Sequence, residues 1–412
     1  MFAGGKTHMA AKSRMTRREI LTGAAGAAAA ASLSSIAGCF PNVGGTWPDG
    51  AVVSTCGCTP PDGGASVAND ETATGPRTGA STVVTIQRDD SIDATGKSLA
   101  QPQLDAVQSM IDAVLSTLAG GAANPWSVLL PNIGLCTRIG LKVNCLSGYF
   151  PTSPAVVRAI IKSLLTHTEV CPGSIIVWDR RLDELTGAGK YTDEHLQGAQ
   201  LLGTITTTKD WHGPKYSTEY FGTFEGSTPR LSRILTEMTD VTINCPVLKH
   251  HNQSGVTAAM KNIYGMIDTP GNFHNYPDKG VSLSRALPAI YNIPQIRNSI
   301  KLTIVDALQA VVLADTDKPV ERFPGRIFAS TDPVALDRYA LDLINQMRAN
   351  PPHNQKPSDP IAGDIVAWLD NAYQLGIGTK DYNLVTLASD GTVIDGGAAI
   401  DAGAVNVADP AG

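Results

Sequence analysis

The chain is poor in charge. Only 17% of its 412 residues are Asp, Glu, Lys or Arg, against about 25% in ordinary soluble domains. The net charge is −6 and no basic stripe runs along the sequence. Neutralising phosphates takes clustered Lys and Arg, so this composition argues against a nucleic-acid partner. Cysteine is also scarce: Cys39, Cys56, Cys58, Cys136, Cys145, Cys171 and Cys245 are scattered, and no C-x-x-C pair exists. That disfavours a zinc ribbon or a thioredoxin-type redox site, and seven cysteines in so long a chain build no disulfide scaffold. No G-x-S-x-G elbow is present, which leaves a serine hydrolase without support. Apolar residues are plentiful at 42%, enough for a sizeable core.

The N-terminus reads as an address. Thr16-Arg17-Arg18-Glu19-Ile20-Leu21 resembles the twin-arginine export motif, and an Ala/Gly-rich run follows. That run is too short and too weakly apolar to read as a membrane span. Ile36-Ala37-Gly38-Cys39 resembles a bacterial lipobox. The expectation is a signal peptide over 1–39, lipidation of Cys39, and a protein anchored to a membrane rather than crossing it. Its partners would include the twin-arginine translocase and, through the lipid, the membrane. Its place would be the cell envelope, facing the periplasm or exterior. Residues 40–80, rich in Gly, Pro, Thr and Ser, read as a flexible tether, with Cys56-Gly-Cys58 as a local pair. Twin-arginine export carries folded proteins, often with a cofactor already loaded, which raises the prospect of a metal or redox group.

From 81 to 390 the pattern alternates. Thr82–Ile86 reads as a strand, 101–118 as a helix, Cys136–Cys145 as a strand, 156–165 as a helix and Ser174–Asp179 as a strand. Residues 182–229 are irregular. Asp240–Leu248 reads as one strand, and Ala258–Ile267 as a helix after a polar turn. Lys301–Asp306 and Arg326–Ser330 read as further strands, then a helix opens at Thr331–Pro333. The expected fold is α/β, a mostly parallel or mixed sheet flanked by helices. Residues 391–412 form a tail without a pattern.

The densest polar cluster lies at the end of an apolar strand, Val241-Thr-Ile-Asn-Cys-Pro-Val-Leu-Lys-His-His251, and continues through Thr257-Ala-Ala-Met-Lys-Asn-Ile-Tyr-Gly265. With Lys142-Val-Asn144, His274 and Asp332-Pro-Val-Ala-Leu-Asp337, this block resembles the bacterial family known as domain of unknown function 362, from about Thr82 to about Ala388. The resemblance implies an α/β domain without a settled reaction. Many such relatives carry ferredoxin-like clusters. This chain has no C-x-x-C-x-x-C run, hence no ferredoxin module, and an iron–sulfur cluster stays an open expectation beside a transition metal.

Lys142, Lys249 and Lys261 bring too many ammonium groups for a purely cationic metal site and suit an anionic small molecule such as a carboxylate or phosphate. Lys249, Lys261 and His250 are the candidate catalytic residues. Lys142, Asn144, Asn262 and Thr257 are the candidate ligand-binding residues. His274, His251, Cys245 and Cys145 are candidate metal ligands. Strand geometry allows only one of His250 and His251 to face the site. Helix amides near Lys261 would reinforce anion binding. Two readings stay open: an enzyme acting on an anionic small molecule, metal- or redox-linked, and a non-catalytic ligand-binding or redox-accessory lipoprotein.

Overall fold

Among the described residues there are eleven strands: β1 Ala80–Gln87, β2 Ile139–Lys142, β3 Ile175–Arg181, β4 Gln200–Ile205, β5 Val241–Asn244, β6 Val247–His251, β7 Gly255–Thr257, β8 Ile300–Val311, β9 Arg326–Ser330, β10 Asp381–Leu387 and β11 Val393–Asp395. They belong to one sheet in a computed structural model that describes residues 75–93, 103–146, 151–207, 213–314, 320–351 and 355–395. The expected signal segment, Cys39 and the Cys56–Cys58 pair lie outside those residues, as do most of the tether and tail. No described helix is long and apolar enough to cross a membrane.

The main path runs β11-β10-β1-β9-β8-β5-β2-β3-β4. From β8 to β4 every neighbour is parallel, while β9 and β11 run against their neighbours. The sheet is therefore mixed, as the alternating pattern implies. Its parallel block begins in the middle with β2, grows to β3 and β4 on one side, and returns to β5 and β8 on the other. That order reverses direction between β2 and β5, the place where open α/β sheets form a crevice beyond their carboxyl ends.

Apolar side chains fill both faces. Ile139 and Leu141 of β2 and Ile175 and Val177 of β3 pack with the helices Gln103–Leu118 and Pro154–His167. Ile176 and Trp178, the alternate residues of β3, join the opposite layer with the helices Leu283–Tyr291 and Pro333–Ala349. This two-residue alternation, buried on both sides, is why the strands read as continuous apolar runs. Ser153 caps the helix Pro154–His167, and Asp332, not Thr331, caps Pro333–Ala349 through the amides of Val334 and Ala335. Cys136 and Cys171, just before β2 and β3, are each disulfide-bonded.

Around the β6–β7 hairpin three elements differ from the expectation, each for a local reason. The single strand over Asp240–Leu248 is broken at Pro246 into β5 and β6, which lie one after the other along the long β8. Proline offers no ladder donor, but its carbonyl accepts from Asp306 N at 2.9 Å. The polar turn after His251 closes a hairpin, β6 to β7, on Gly255 at φ +72°, where the Ile361 and Val366 side chains leave no room for a Cβ. The helix expected over Ala258–Ile267 is a six-residue 3-10 turn, Lys261–Met266.

Candidate functional site

The carboxyl ends of β2 and β3, the hairpin β6–β7 and the turn Lys261–Met266 enclose a cavity of ≈ 140 Å³. Lys142 reaches it from the end of β2 and Asn144 from just past that end, and Asp179, Arg180 and Glu184 from the end of β3 and the turn after it. Lys249 and His251, two apart on β6, share the cavity face, with Thr257 directly across the ladder from Lys249. Lys261, Asn262, Tyr264 and His274 close the other wall.

A chain of hydrogen bonds forms the floor. Lys249 Nζ donates to Asn144 Oδ1 at 2.9 Å, and Asn144 Nδ2 donates to Asn262 Oδ1 at 3.0 Å. Asn262 Nδ2 donates to Asn244 Oδ1 at 2.8 Å, and Asn244 Nδ2 to the Ala259 carbonyl at 2.9 Å. The ammonium at one end and the carbonyl at the other fix how each carboxamide is turned. Lys142 is tied differently. Its Nζ lies 2.7 Å from Asp179 Oδ1, with both side chains buried. A Cβ on Gly265 would stand 2.5 Å from that carboxylate and 2.6 Å from the ammonium, so only glycine admits the pair here. Lys142 is thus neutralised within the fold.

The two imidazoles take opposite tautomers. Gln253 N donates to His251 Nδ1 at 3.0 Å, which places the neutral ring's proton on Nε2. Burial, followed by the charges of Lys261, His274 and Lys249, pushes the His251 pKa down to about 2, so the ring is neutral at any physiological pH. His274 Nδ1 lies 3.1 Å from the Pro270 carbonyl, which can only accept, so Nε2 accepts from Lys261 Nζ at 3.3 Å. The rings stack with centroids 5.5 Å apart. Lys261 Nζ also lies over the Tyr264 ring, 3.6 Å from its centroid.

Thr257 Oγ1 is buried and has no hydrogen-bond partner. Four cationic side chains line the cavity against two acidic ones, Asp179 and Glu184. A neutral N–H, an unused hydroxyl and a surplus of two positive charges are an arrangement for an oxyanion.

Of the expected metal ligands His251 and His274 meet at the cavity, and the two cysteines do not. Cys145 lies beside Tyr191 OH at 3.7 Å and Cys245 beside the Ile243 carbonyl, both buried outside the cavity. Burial pushes both thiols well up, away from the thiolate a metal needs. A ligating imidazole donates its second N–H to an acceptor, and His251 does the reverse. Among the described residues no group of three or more His, Cys, Asp or Glu could hold a metal ion. The donor set thus fits neither a transition metal nor an iron–sulfur cluster. His250, expected in the catalytic set, points away: its Nδ1 donates to the Ala314 carbonyl at 2.8 Å. The helix amides expected near Lys261 are also taken, because Asp337 accepts from Ala259 N at 2.7 Å and Met260 N at 2.9 Å. Asp306 is a tie as well, accepting from Ser153 N and Leu308 N.

Glu184 was missed. It sits in the segment read as irregular, and no periodicity marks it. The cue available was Asp179-Arg180-Arg181 at a strand end with two acids close behind. Burial raises its carboxyl to about 7, against the lowering by Arg181 and with a further rise from Asp179 and Asp183.

Residues 139–342 match the family described as Domain of unknown function (DUF362). The chain belongs to this family. The matched span of the DUF362 domain runs from the start of β2 into the helix after β9 and holds every residue that lines the cavity. No curated protein matches the chain. Among solved structures, one of a Thermotoga maritima protein is similar at 11% identity and a TM-score of 0.34, over 60% of this chain and 59% of that one. A likeness of that size carries no argument about function.

Proposed function

We propose that the DUF362 domain is an enzyme that takes a small carboxylate or phosphate into the cavity between β2 and β6 and moves a proton on it. The observation that carries this reading is the buried, unpartnered Thr257 hydroxyl facing the same space as Lys249, Lys261 and the His251 N–H. A dry engineered cavity of about 150 Å³ takes up benzene, so this space suits a molecule of roughly six non-hydrogen atoms. Lys249, Lys261 and Thr257 hold its oxygens; Asn144 and Asn262 hold Lys249 in place.

The chain is, in this reading, exported by the twin-arginine route and held to a membrane by a lipid on Cys39. The disulfide-bonded Cys136 and Cys171 support an oxidising compartment.

Calorimetric titration with acetate, pyruvate and inorganic phosphate tests the binding. Each of Lys249→Met and Lys261→Met should weaken the anion at least about tenfold, the worth of one charge-assisted hydrogen bond, while circular dichroism reports an intact fold. Folded variants that bind as the parent does would make the lysine network purely architectural. Binding with no chemical change in the anion would leave a ligand-binding lipoprotein instead of an enzyme.

A further inference from the structure

The anion-binding reading leaves Glu184 without a role, yet it lines the same cavity as Lys249, Lys261 and Thr257. Its place is built. Arg181 grips Asp183 with Nε and Nη2, at 2.9 and 2.5 Å, and reaches Glu184 Oε1 with Nη1 alone at 3.0 Å. Asp183 Oδ1 in turn accepts from Glu184 N at 3.0 Å. Gly203 of β4 lets the backbone of Leu182 lie directly against it, which seats the turn carrying Glu184 at the end of the sheet. One carboxyl oxygen is therefore anchored and the other is left for the cavity.

We propose that Glu184 is the proton carrier of this site, holding a proton opposite the bound anion and handing it to that molecule. The proposal rests on the anion-binding reading above. In the transfer the O–H bond of the Glu184 carboxyl breaks and a bond forms from that hydrogen to the ligand. The electron pair stays on Glu184, where Arg181 stabilises the carboxylate. No oxidant or co-reactant is needed, and solvent restores the proton afterwards.

The surroundings favour a shared proton. The charged groups facing Glu184 are Asp179, Arg180 and Arg181 of β3 and Asp183 on its own turn, with Lys142, Lys249 and Lys261 lining the same cavity. His251 is neutral, and His274 accepts from Lys261. Lys142 is occupied by Asp179, so it does not hold Glu184 ionised. Burial lifts the carboxyl to about 7, and an arriving anion raises it further.

The sign follows. A protonated Glu184 does not repel an anion and an ionised one does, so affinity is highest below the midpoint and falls as pH rises through it. Acetate stays ionised above about pH 6, which makes it the probe. The wild-type protein should lose about tenfold in acetate affinity between pH 6 and pH 8 and take up a fraction of a proton on binding, read from heats in two buffers of different ionisation enthalpy. Glu184→Gln should bind acetate with one affinity across that range and no proton uptake. A slope that survives in Glu184→Gln but vanishes in His274→Gln overturns the proposal and assigns the proton to the imidazole. Acetate binding without proton uptake in the wild type also overturns it, while leaving the anion site standing. If neither protein binds acetate, pyruvate or phosphate, the parent reading falls and this one with it.

Discussion

Thr257 stands across the β6–β7 ladder from Lys249 with its hydroxyl buried and unpartnered. A buried hydroxyl without a partner costs stability, so the fold alone gives no reason to keep it. Thr257→Val removes the hydroxyl and keeps the shape. It should leave unfolding free energy within about 0.5 kcal/mol or raise it slightly, because no native bond is lost. It should weaken acetate or phosphate by about tenfold or more, the worth of a hydrogen bond to a charged group. Urea unfolding and calorimetry read the two quantities separately. A variant that loses stability but not affinity would place the hydroxyl in a structural bond and take it out of the ligand site. At this scale the sequence was informative where residue type fixes chemistry. Lys249, Lys261, Asn144, Asn262 and Thr257 all reach one cavity. It was uninformative where pairing decides. Residue type alone leaves open whether Asp179 takes a metal or a lysine, and whether Cys145 and Cys245 are ligands or inert buried thiols, and the structure resolves both toward the second.

The hairpin β6–β7 shows how an element sorts adjacent residues. Successive side chains of a strand point to opposite faces, so Lys249 and His251 enter the cavity while His250 turns to the Ala314 carbonyl. The alternation was legible, but which of the two histidines would face the ligand depended on register, fixed by Lys249 pairing with Thr257 and His251 with Gly255. Three strands were not legible at all: β4, β7 and β11, the last inside a stretch read as a tail without a pattern. β4 has Gly203 in its middle and pairs on one side only, with β3, so it lacks the apolar run of a central strand. β7 is three residues long and reads as part of its turn. The register makes a prediction for the pair. His251→Ala should weaken anion binding severalfold, since it removes an N–H and the ring stacked on His274. His250→Ala should leave affinity within about twofold and cost about 1 kcal/mol of stability for its lost bond to a carbonyl. The opposite ranking in side-by-side titrations would mean that β6 is turned over in the working protein.

The whole molecule places a reversal of strand order, a small cationic cavity and two disulfide-bonded cysteines at the ends of the same parallel block. β2 and β3 begin just after Cys136 and Cys171 and carry, at or near their carboxyl ends, Lys142 and Asp179, the buried ion pair of the site. A disulfide at each of these two positions limits the unfolded chain. Disulfides persist where thiols are oxidised, which agrees with the proposed export. If the proposed export holds, Arg17-Arg18 and Cys39 have separable consequences. Cys39→Ser should move the protein from the membrane fraction to the soluble exported fraction with its anion affinity unchanged. Arg17→Lys with Arg18→Lys should retain it in the cytoplasm, where Cys136 and Cys171 stay reduced. Alkylation of the denatured, unreduced protein followed by peptide mass spectrometry separates the two. Cys145 and Cys245 should take up label in both variants, being free thiols that only unfolding exposes. Cys136 and Cys171 should take it up only in the retained one. If Cys136 and Cys171 of the parent protein are labelled without a reductant, the disulfides do not form in the cell and the main structural support for export is gone. If Cys39→Ser stays with the membrane, something other than a lipid holds the chain there.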